Sequence, residues 1–173
     1  ESLLPFYEAV AQENLPLAVH VGWACPPLSN LYTHIYPSGV IPFCMPVLMG
    51  FVSILSGGTL DRFPDLRVVF LEAGSLWIHF LLDRLQHRFK NSLAKILPQL
   101  APKSARPPME YIRRGNIYLS AEIEDALLPQ VIELVGEGQI VFGSDMPHGD
   151  RERFAARMLE ERTDLGTTAK VSI

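Results

Sequence analysis

The stretch Gln139-Ile140-Val141-Phe142-Gly143-Ser144-Asp145-Met146-Pro147-His148 decides the fold. Its first four residues predict a short buried strand, and the Gly-Ser-Asp corner predicts where that strand ends. A carboxylate and an imidazole, Asp145 and His148, follow three residues apart. In parallel α/β proteins the chemistry is carried at the carboxyl ends of the strands. Asp145 and His148 are therefore the first candidates for a functional site.

Two earlier apolar segments repeat this arrangement. Residues 17–22, Leu-Ala-Val-His-Val-Gly, predict a strand with His20 inside it. Residues 67–74, Arg-Val-Val-Phe-Leu-Glu-Ala-Gly, predict a second strand with Glu72 at its end. Strands of a parallel sheet end at the same edge, so we expect His20 and Glu72 to converge on Asp145.

A further strand is predicted over residues 116–120. In the segments between the predicted strands, apolar residues recur at the spacing of an α-helix. Helices are predicted over 3–14, 43–56, 75–91, 123–135 and 151–162, a loop over 23–42, a proline-rich connector over 98–108, and a frayed tail at the end. Strands that alternate with helices imply parallel pairing, with helices covering the sheet. Four such units make half of an eight-stranded barrel or a small open sheet. A Gly-x-Gly-x-x-Gly turn after a strand would favour the open sheet, and none occurs.

The composition describes one ordinary globular domain. The chain has 173 residues, of which 48% are hydrophobic and 20% are charged. A net charge of −4 gives no electrostatic reason to expect a nucleic acid partner. No run of about 18 apolar residues is evident, so we expect no membrane span and a cytoplasmic protein. The chain opens at Glu1 within a helical pattern, which suggests a fragment of a longer protein.

The segment from Leu60 to Gly74, followed by Trp77 and by Leu82-Asp83-Arg84-Leu85, resembles the second amidohydrolase family. This family comprises metal-dependent hydrolases and decarboxylases. The Phe142–His148 stretch resembles the family's last barrel strand, and Val19-His20-Val21-Gly22 resembles its fifth. The resemblance covers the chain from its first helix to His148.

The resemblance implies a (β/α)8 TIM barrel, of which residues 1–173 form the C-terminal half, with four parallel strands and their helices. It implies one divalent metal, most often zinc with manganese or iron as alternatives, and a small-molecule substrate. His20 and Asp145 match the family's metal ligands on the fifth and eighth strands. Glu72 stands where the family often has a histidine. The ligand pair of the first strand has no counterpart, so the N-terminal half is expected to be absent.

These residue types suit metal-assisted chemistry. Imidazole and carboxylate together bind zinc, manganese or iron and leave positions open, and such a cation activates water or holds a substrate carboxylate. Asp145 and Glu72 are the predicted catalytic residues, since a carboxylate beside the metal accepts a proton. His148 and Trp23, in the loops beyond their strands, are the predicted substrate-binding residues.

Each of these residues also has a structural interpretation. An aspartate between a strand and a helix often caps the helix, and Glu72 could cap a helix or pair with an arginine. His20 could be a hydrogen-bonded core histidine, and His148 a surface histidine. Trp23 could pack within its own loop.

The sequence leaves two functional hypotheses open. The first is a metal-dependent enzyme that hydrolyses or non-oxidatively decarboxylates a small carboxylated or cyclic substrate. The second is a catalytically incomplete half-barrel that binds metal weakly or not at all. Such a half-barrel exposes two strand edges, so it would associate with itself as a homo-oligomer or with another chain.

Overall fold

The computed structural model describes residues 2–22, 26–91, 96–149 and 153–173. Its strands are β1 (Pro16–Val19), β2 (Arg67–Phe70), β3 (Ile117–Ala121) and β4 (Ile140–Phe142). Its helices are α1 (Leu4–Gln12), α2 (Pro26–Ser29), α3 (Ile35–Ser56), α4 (Thr59–Arg62), α5 (Trp77–Lys90), α6 (Pro108–Arg113), α7 (Leu128–Val135), α8 (Ala155–Glu161) and α9 (Thr167–Ser172). Short 3-10 turns span Pro98–Leu100 and Glu137–Gln139.

The four strands form one parallel sheet in the order β1-β2-β3-β4. Strand order follows chain order without the reversal that defines a doubly wound sheet. The predicted class, four parallel strands with helices as in half of a (β/α)8 barrel, is confirmed, and the open doubly wound alternative is not supported.

The hydrophobic core lies between one face of the sheet and the helices. Val68 and Phe70 of β2 are opposite Ile117 and Leu119 of β3 in the register, so these four side chains share a face. All four are buried, and they belong to one core with residues of α3, α5, α6 and α7. The opposite face is open, because Ala18 is exposed there and its neighbours are only partly buried; these are Val69, Tyr118, Ser120 and Val141.

Helix α3 corrects the predicted loop over residues 23–42. The helix begins at Ile35 and contains Pro42 and Pro46. Residues 23–42 are rich in Pro, Ser, Asn and Tyr without a clear period, which is why the sequence predicts a loop there, and each proline inside α3 removes a backbone hydrogen bond. Buried side chains in the second half of α3, including Phe51 and Leu55, compensate by packing into the core.

Helix α3 is also long and apolar enough to cross a membrane, contrary to the expectation that the chain holds no such run. Length and composition alone are weak evidence for a membrane span, because core helices of soluble proteins meet the same criterion. The apolar residues Ile35, Tyr36, Val40 and Ile41 at its beginning are exposed.

Three further predictions about elements are wrong. The helix predicted over 123–135 begins only at Leu128, because the preceding residues form an anchored loop. Helix α9 occupies the segment predicted to be a frayed tail, and helix α6 follows the proline-rich connector in a segment for which the sequence predicts no element. The helical spacing of Trp77, Phe80 and Phe89 predicts a buried stripe along α5, but Phe80 is 66% exposed.

Candidate metal centre

Two site carboxylates lie just beyond strand ends on unusual backbone. Glu72 follows β2 with φ 58°, and Asp145 follows β4 with φ 54°. Residues other than glycine adopt this left-handed conformation at a cost of about 1 kcal/mol or more, and such residues concentrate at functional sites. In both positions the backbone turns sharply where the strand ends.

The turn after β2 is fixed by an aromatic cluster. The Trp77 indole N–H donates to the Gly74 carbonyl at 2.8 Å. The Trp77 ring packs edge-on against Phe51 and Phe70, with ring centroids 5.1 and 6.1 Å apart. These contacts hold the turn that presents Glu72.

The structure brings Glu72, Asp145 and His148 together. One ligand atom from each lies within 4.8 Å of the others. The Nδ1 atom of His148 lies 2.8 Å from Oδ1 and 2.9 Å from Oδ2 of Asp145. The His148 backbone N–H also donates to the Asp145 carbonyl at 2.9 Å, which closes the turn between them.

His20 extends this group through Glu72. Its Nε2 atom lies 3.1 Å from Oε1 of Glu72, and its Nδ1 atom lies 2.9 Å from the Val21 carbonyl oxygen. His20 is therefore not a buried core histidine, since its side chain is 54% exposed. We call His20, Glu72, Asp145 and His148 the His-carboxylate group.

The donor set of this group fits a divalent cation. Two imidazoles and two carboxylates are the ligands that zinc, manganese and iron accept in proteins. Ligand atoms at about 2.1 Å from one ion stand roughly 3 to 3.5 Å apart, which is close to the separations within both His-carboxylate pairs. His20 is not a member of the set whose atoms all lie within 4.8 Å, which contains Glu72, Asp145 and His148.

A cavity of about 410 Å³ adjoins the group. Glu72 and Asp145 contribute to its wall, and Phe43 and Phe142 add aromatic surface. The other described lining residues are Ser120, Ala121, Glu122, Ile123, Glu124, Gly143 and Ser144. Its volume is in the range of small-molecule sites. Trp23, predicted to bind substrate, lies outside the described residues.

Glu122 is a cavity residue for which the sequence pattern predicts no role. It follows β3 directly and lines the cavity with Glu72 and Asp145. The sequence did contain a signal, because Glu122 stands at a strand end as Glu72 does. The sequence predicts that the strand ends at Ser120 and that the helix begins at Ile123. Glu122 therefore falls between two predicted elements.

Comparisons with known proteins agree with this architecture. The amidohydrolase family model matches residues 1–169. A 2-amino-3-carboxymuconate-6-semialdehyde decarboxylase of Dictyostelium discoideum is 26% identical over 122 residues, which are 70% of this chain and 32% of that protein.

Solved structures share the fold. The 5-carboxyvanillate decarboxylase of Sphingomonas paucimobilis matches with a TM-score of 0.78 and 24% identity, over 98% of this chain and 49% of that one. A dihydroxybenzoic acid decarboxylase of Polaromonas sp., solved with manganese and the inhibitor 2-nitroresorcinol, matches with a TM-score of 0.77 and 22% identity, over 98% and 50%. The chain thus spans about half the length of these structures and about a third of the curated relative. With the family model matched over almost all of its length, the chain belongs to the amidohydrolase family.

Proposed function

We propose that this chain contributes a metal-assisted site for the non-oxidative decarboxylation of a small carboxylated cyclic compound, using a single divalent metal. The observation that carries the proposal is the convergence of Glu72, Asp145 and His148 within 4.8 Å at the carboxyl ends of the strands. Two carboxylates held this close repel each other unless a cation or a proton lies between them.

The relatives support this choice of reaction. The curated relative is a decarboxylase of a carboxylated semialdehyde. Another solved structure of the same fold is a 2,6-dihydroxybenzoate decarboxylase with 2,6-dihydroxybenzoate bound, 21% identical with a TM-score of 0.76. Their substrates are small and carboxylated, and a cavity of about 410 Å³ with two phenylalanines accommodates such a molecule.

We assign the residues as follows. Asp145 and His20 are metal ligands, and Glu72 lies between them, within 3.1 Å of His20. A divalent cation bound by these side chains would hold the substrate carboxylate and a neighbouring substrate oxygen. Asp145 and Glu72 are the proton-transferring groups, since decarboxylation replaces the departing CO2 with a proton on carbon. His148 orients Asp145 and contacts the substrate, and Trp23 remains a predicted substrate contact.

Hydrolysis is the second candidate, because the matching family model is that of the amidohydrolases. The same carboxylates would then remove a proton from the attacking water. The catalytically incomplete half-barrel remains the alternative to both reactions. A cytoplasmic location and a homo-oligomeric state stay predictions.

Metal content after dialysis tests the proposal. We expect about one manganese or zinc ion per chain in the parent and a loss of most of it in Asp145→Asn, because the amide removes a charged ligand. Asp83→Asn is the matched control, since the Asp83 side chain is 71% exposed on α5 and its ion pair is with the adjacent Arg84. Bound metal should also raise the midpoint of thermal unfolding, by mass action on the folded state.

Two further variants identify the histidine ligand. His20→Ala should lower the metal content if His20 binds the ion directly, and His148→Ala should do so if His148 is the ligand. A parent with no bound metal, or an Asp145→Asn variant that keeps all of it, would contradict the proposal and leave the incomplete half-barrel.

A further inference from the structure

A second cavity, of about 380 Å³, lies at the turn between α3 and α4. Its described lining residues come from the beginning of the chain, the end of α3, α4 and the connector before α6, and none of them lines the cavity at the His-carboxylate group. Residues 57–62 lead into the amino end of β2, whereas Glu72 follows the carboxyl end of that strand. The second cavity is therefore separate from the proposed metal centre.

The side chains around this second cavity carry positive charge. Among its described lining residues two are basic, Arg62 and Lys103, and none is acidic. Neither of them forms an ion pair within the part of the chain that the structure describes. The Arg62 guanidinium stacks on its neighbour Phe63, 5.7 Å from the ring centroid, which leaves its N–H donors pointing outward in the guanidinium plane. Two cations on one cavity attract an anion between them.

The acidic neighbour of Arg62 is already bonded to other groups. Oδ2 of Asp61 accepts hydrogen bonds from the Ala105 N–H at 2.7 Å and from the Tyr111 hydroxyl at 2.6 Å. Oδ1 of Asp61 pairs with the Arg106 guanidinium at 2.7 Å. The negative charge of Asp61 is therefore compensated by Arg106 and by two hydrogen-bond donors, so it does not neutralise the second cavity.

A close backbone contact at Gly58 places Lys103 beside the start of α4. Gly58 has φ 77°, and a Cβ atom built on it would lie 2.9 Å from the Lys103 carbonyl oxygen. A side chain at position 58 would therefore push the connector away. The bond between Ala105 and Asp61 holds the same connector two residues further on. The backbone that carries Lys103 is thus fixed against the segment that carries Arg62.

The hydroxyl group of Thr59 points to a ligand in this cavity. Thr59 lines the cavity and is only 8% exposed. Its hydroxyl forms no hydrogen bond with any residue that the structure describes, whereas every described side-chain nitrogen or oxygen that is sealed from solvent has a partner. The Thr59 hydroxyl is therefore open to the cavity, where a ligand oxygen can accept a hydrogen bond from it.

We infer that this second cavity is a ligand site that binds the phosphate group of a small molecule. A phosphate group carries about two negative charges at neutral pH and three acceptor oxygens, which match Arg62, Lys103 and the Thr59 hydroxyl. A carboxylate carries one charge and would leave one of the two cations without a partner. Leu4 and Ile54 add apolar wall for the organic part of the ligand. The inference does not rest on the proposed function.

Calorimetric titration with inorganic phosphate and with phenyl phosphate tests the inference. In Lys103→Ala we expect about tenfold weaker binding of both probes, as for the loss of one charged hydrogen-bond donor. Lys90→Ala, at the exposed end of α5, removes the same charge elsewhere and should bind both probes as the parent does. Asp145→Asn should also bind them as the parent does, because it changes only the proposed metal centre.

Thr59→Val separates a ligand contact from a structural role. The substitution removes no hydrogen bond within the described chain and keeps the shape of the side chain, so we expect unchanged stability in urea. We expect about fivefold weaker binding of both phosphate probes, because one neutral hydrogen bond to the ligand is lost.

Three outcomes would overturn the inference. The first is a parent that binds neither probe at millimolar concentrations. The second is binding that Lys103→Ala keeps and Asp145→Asn loses, because the phosphate group then lies at the metal centre. The third is an equal loss in Lys103→Ala and Lys90→Ala, which would be a general effect of charge. With the expected variant effects, tighter binding of phenyl phosphate identifies a phosphate ester as the ligand, and equal affinities identify free phosphate; both support the site.

Discussion

Asp125 and Ser75 are joined by two hydrogen bonds across 50 residues of sequence, both to Oδ2 of Asp125. Ser75 is fully buried and lies two residues before the start of α5, and Asp125 lies in the loop before α7. The pair therefore ties the turn that follows Glu72 to the loop that follows Glu122. Two of the site's carboxylates thus share one support.

Replacing Asp125 by alanine should destabilise the protein. The change leaves the buried N–H and hydroxyl of Ser75 without this acceptor, so we expect the free energy of unfolding to fall by about 1 to 3 kcal/mol. Urea unfolding monitored by circular dichroism measures it. Asp83→Ala is the surface control, and an Asp125→Ala variant as stable as that control would refute the assignment.

Arg162→Lys should lower the free energy of unfolding, although both side chains carry a positive charge. The Arg162 side chain is 13% exposed, and it bonds to two carbonyls of the 122–127 loop and to Asp164 at 2.6 Å. A lysine cannot reproduce this planar fork of donors. We expect a loss of about 1 to 3 kcal/mol in unfolding free energy.

Arg157→Lys provides the comparison for Arg162→Lys. Arg157 pairs with Glu161 on the surface of α8, where the two side chains are 75% and 61% exposed. Exposed pairs of this kind contribute about 1 kcal/mol at most. Equal stabilities of the two variants in urea would show that Arg162 does not support the loop.

Tyr111→Phe should show a pH-dependent loss of stability. Burial opposes ionisation of Asp61, but hydrogen bonds from the Ala105 N–H and the Tyr111 hydroxyl, together with Arg106, outweigh it and lower the pKa of Asp61. A lowered pKa in the folded state stabilises the protein above the unfolded-state pKa, and this contribution disappears as the pH falls through the folded-state pKa. The gap between parent and variant should therefore be largest near pH 7 and shrink below about pH 4.

Urea titrations at a series of pH values measure that gap. Tyr118→Phe, in which the changed tyrosine lies on the open face of the sheet, controls for the general effect of removing a hydroxyl. A gap that stays constant from neutral to acidic pH would show that the Asp61 carboxylate does not act through Tyr111.

The chain by itself should self-associate. β1 and β4 form the two edges of the described sheet, and the open face carries partly exposed apolar side chains. Unpaired strand edges favour pairing with another chain. Sedimentation at micromolar concentrations should show dimers or larger species, and Ala18→Lys on β1 should weaken them. A parent that stays monomeric throughout would contradict this expectation.

The strand pattern and the candidate site were largely accessible from sequence. Apolar runs ending in His20, Glu72 and Asp145 located three of the four strands and three members of the His-carboxylate group, because the carboxyl ends of parallel strands meet at one edge. That these residues bind metal or act in catalysis remains a prediction.

Long-range contacts set the features that the sequence concealed. Pro42 and Pro46 each remove a backbone hydrogen bond, yet packing of Phe51 and Leu55 into the core keeps α3 continuous. The apolar residues after Ser120 favour a helix, but the Asp125–Ser75 bonds and Arg162 hold residues 122–127 as a loop. Neither Ser75 nor Arg162 lies near that loop in the sequence, so no local pattern could reveal the anchor.

The left-handed backbone at Glu72 has an evolutionary consequence. A chain selected only for ease of folding would place glycine or asparagine there, because both accept that conformation more readily than glutamate. This chain instead keeps a carboxylate in an unfavourable conformation, 3.1 Å from the His20 imidazole. A Glu72→Gly replacement would relax the backbone and remove the carboxylate in one step, so at this position backbone stability and the proposed chemistry favour different residues.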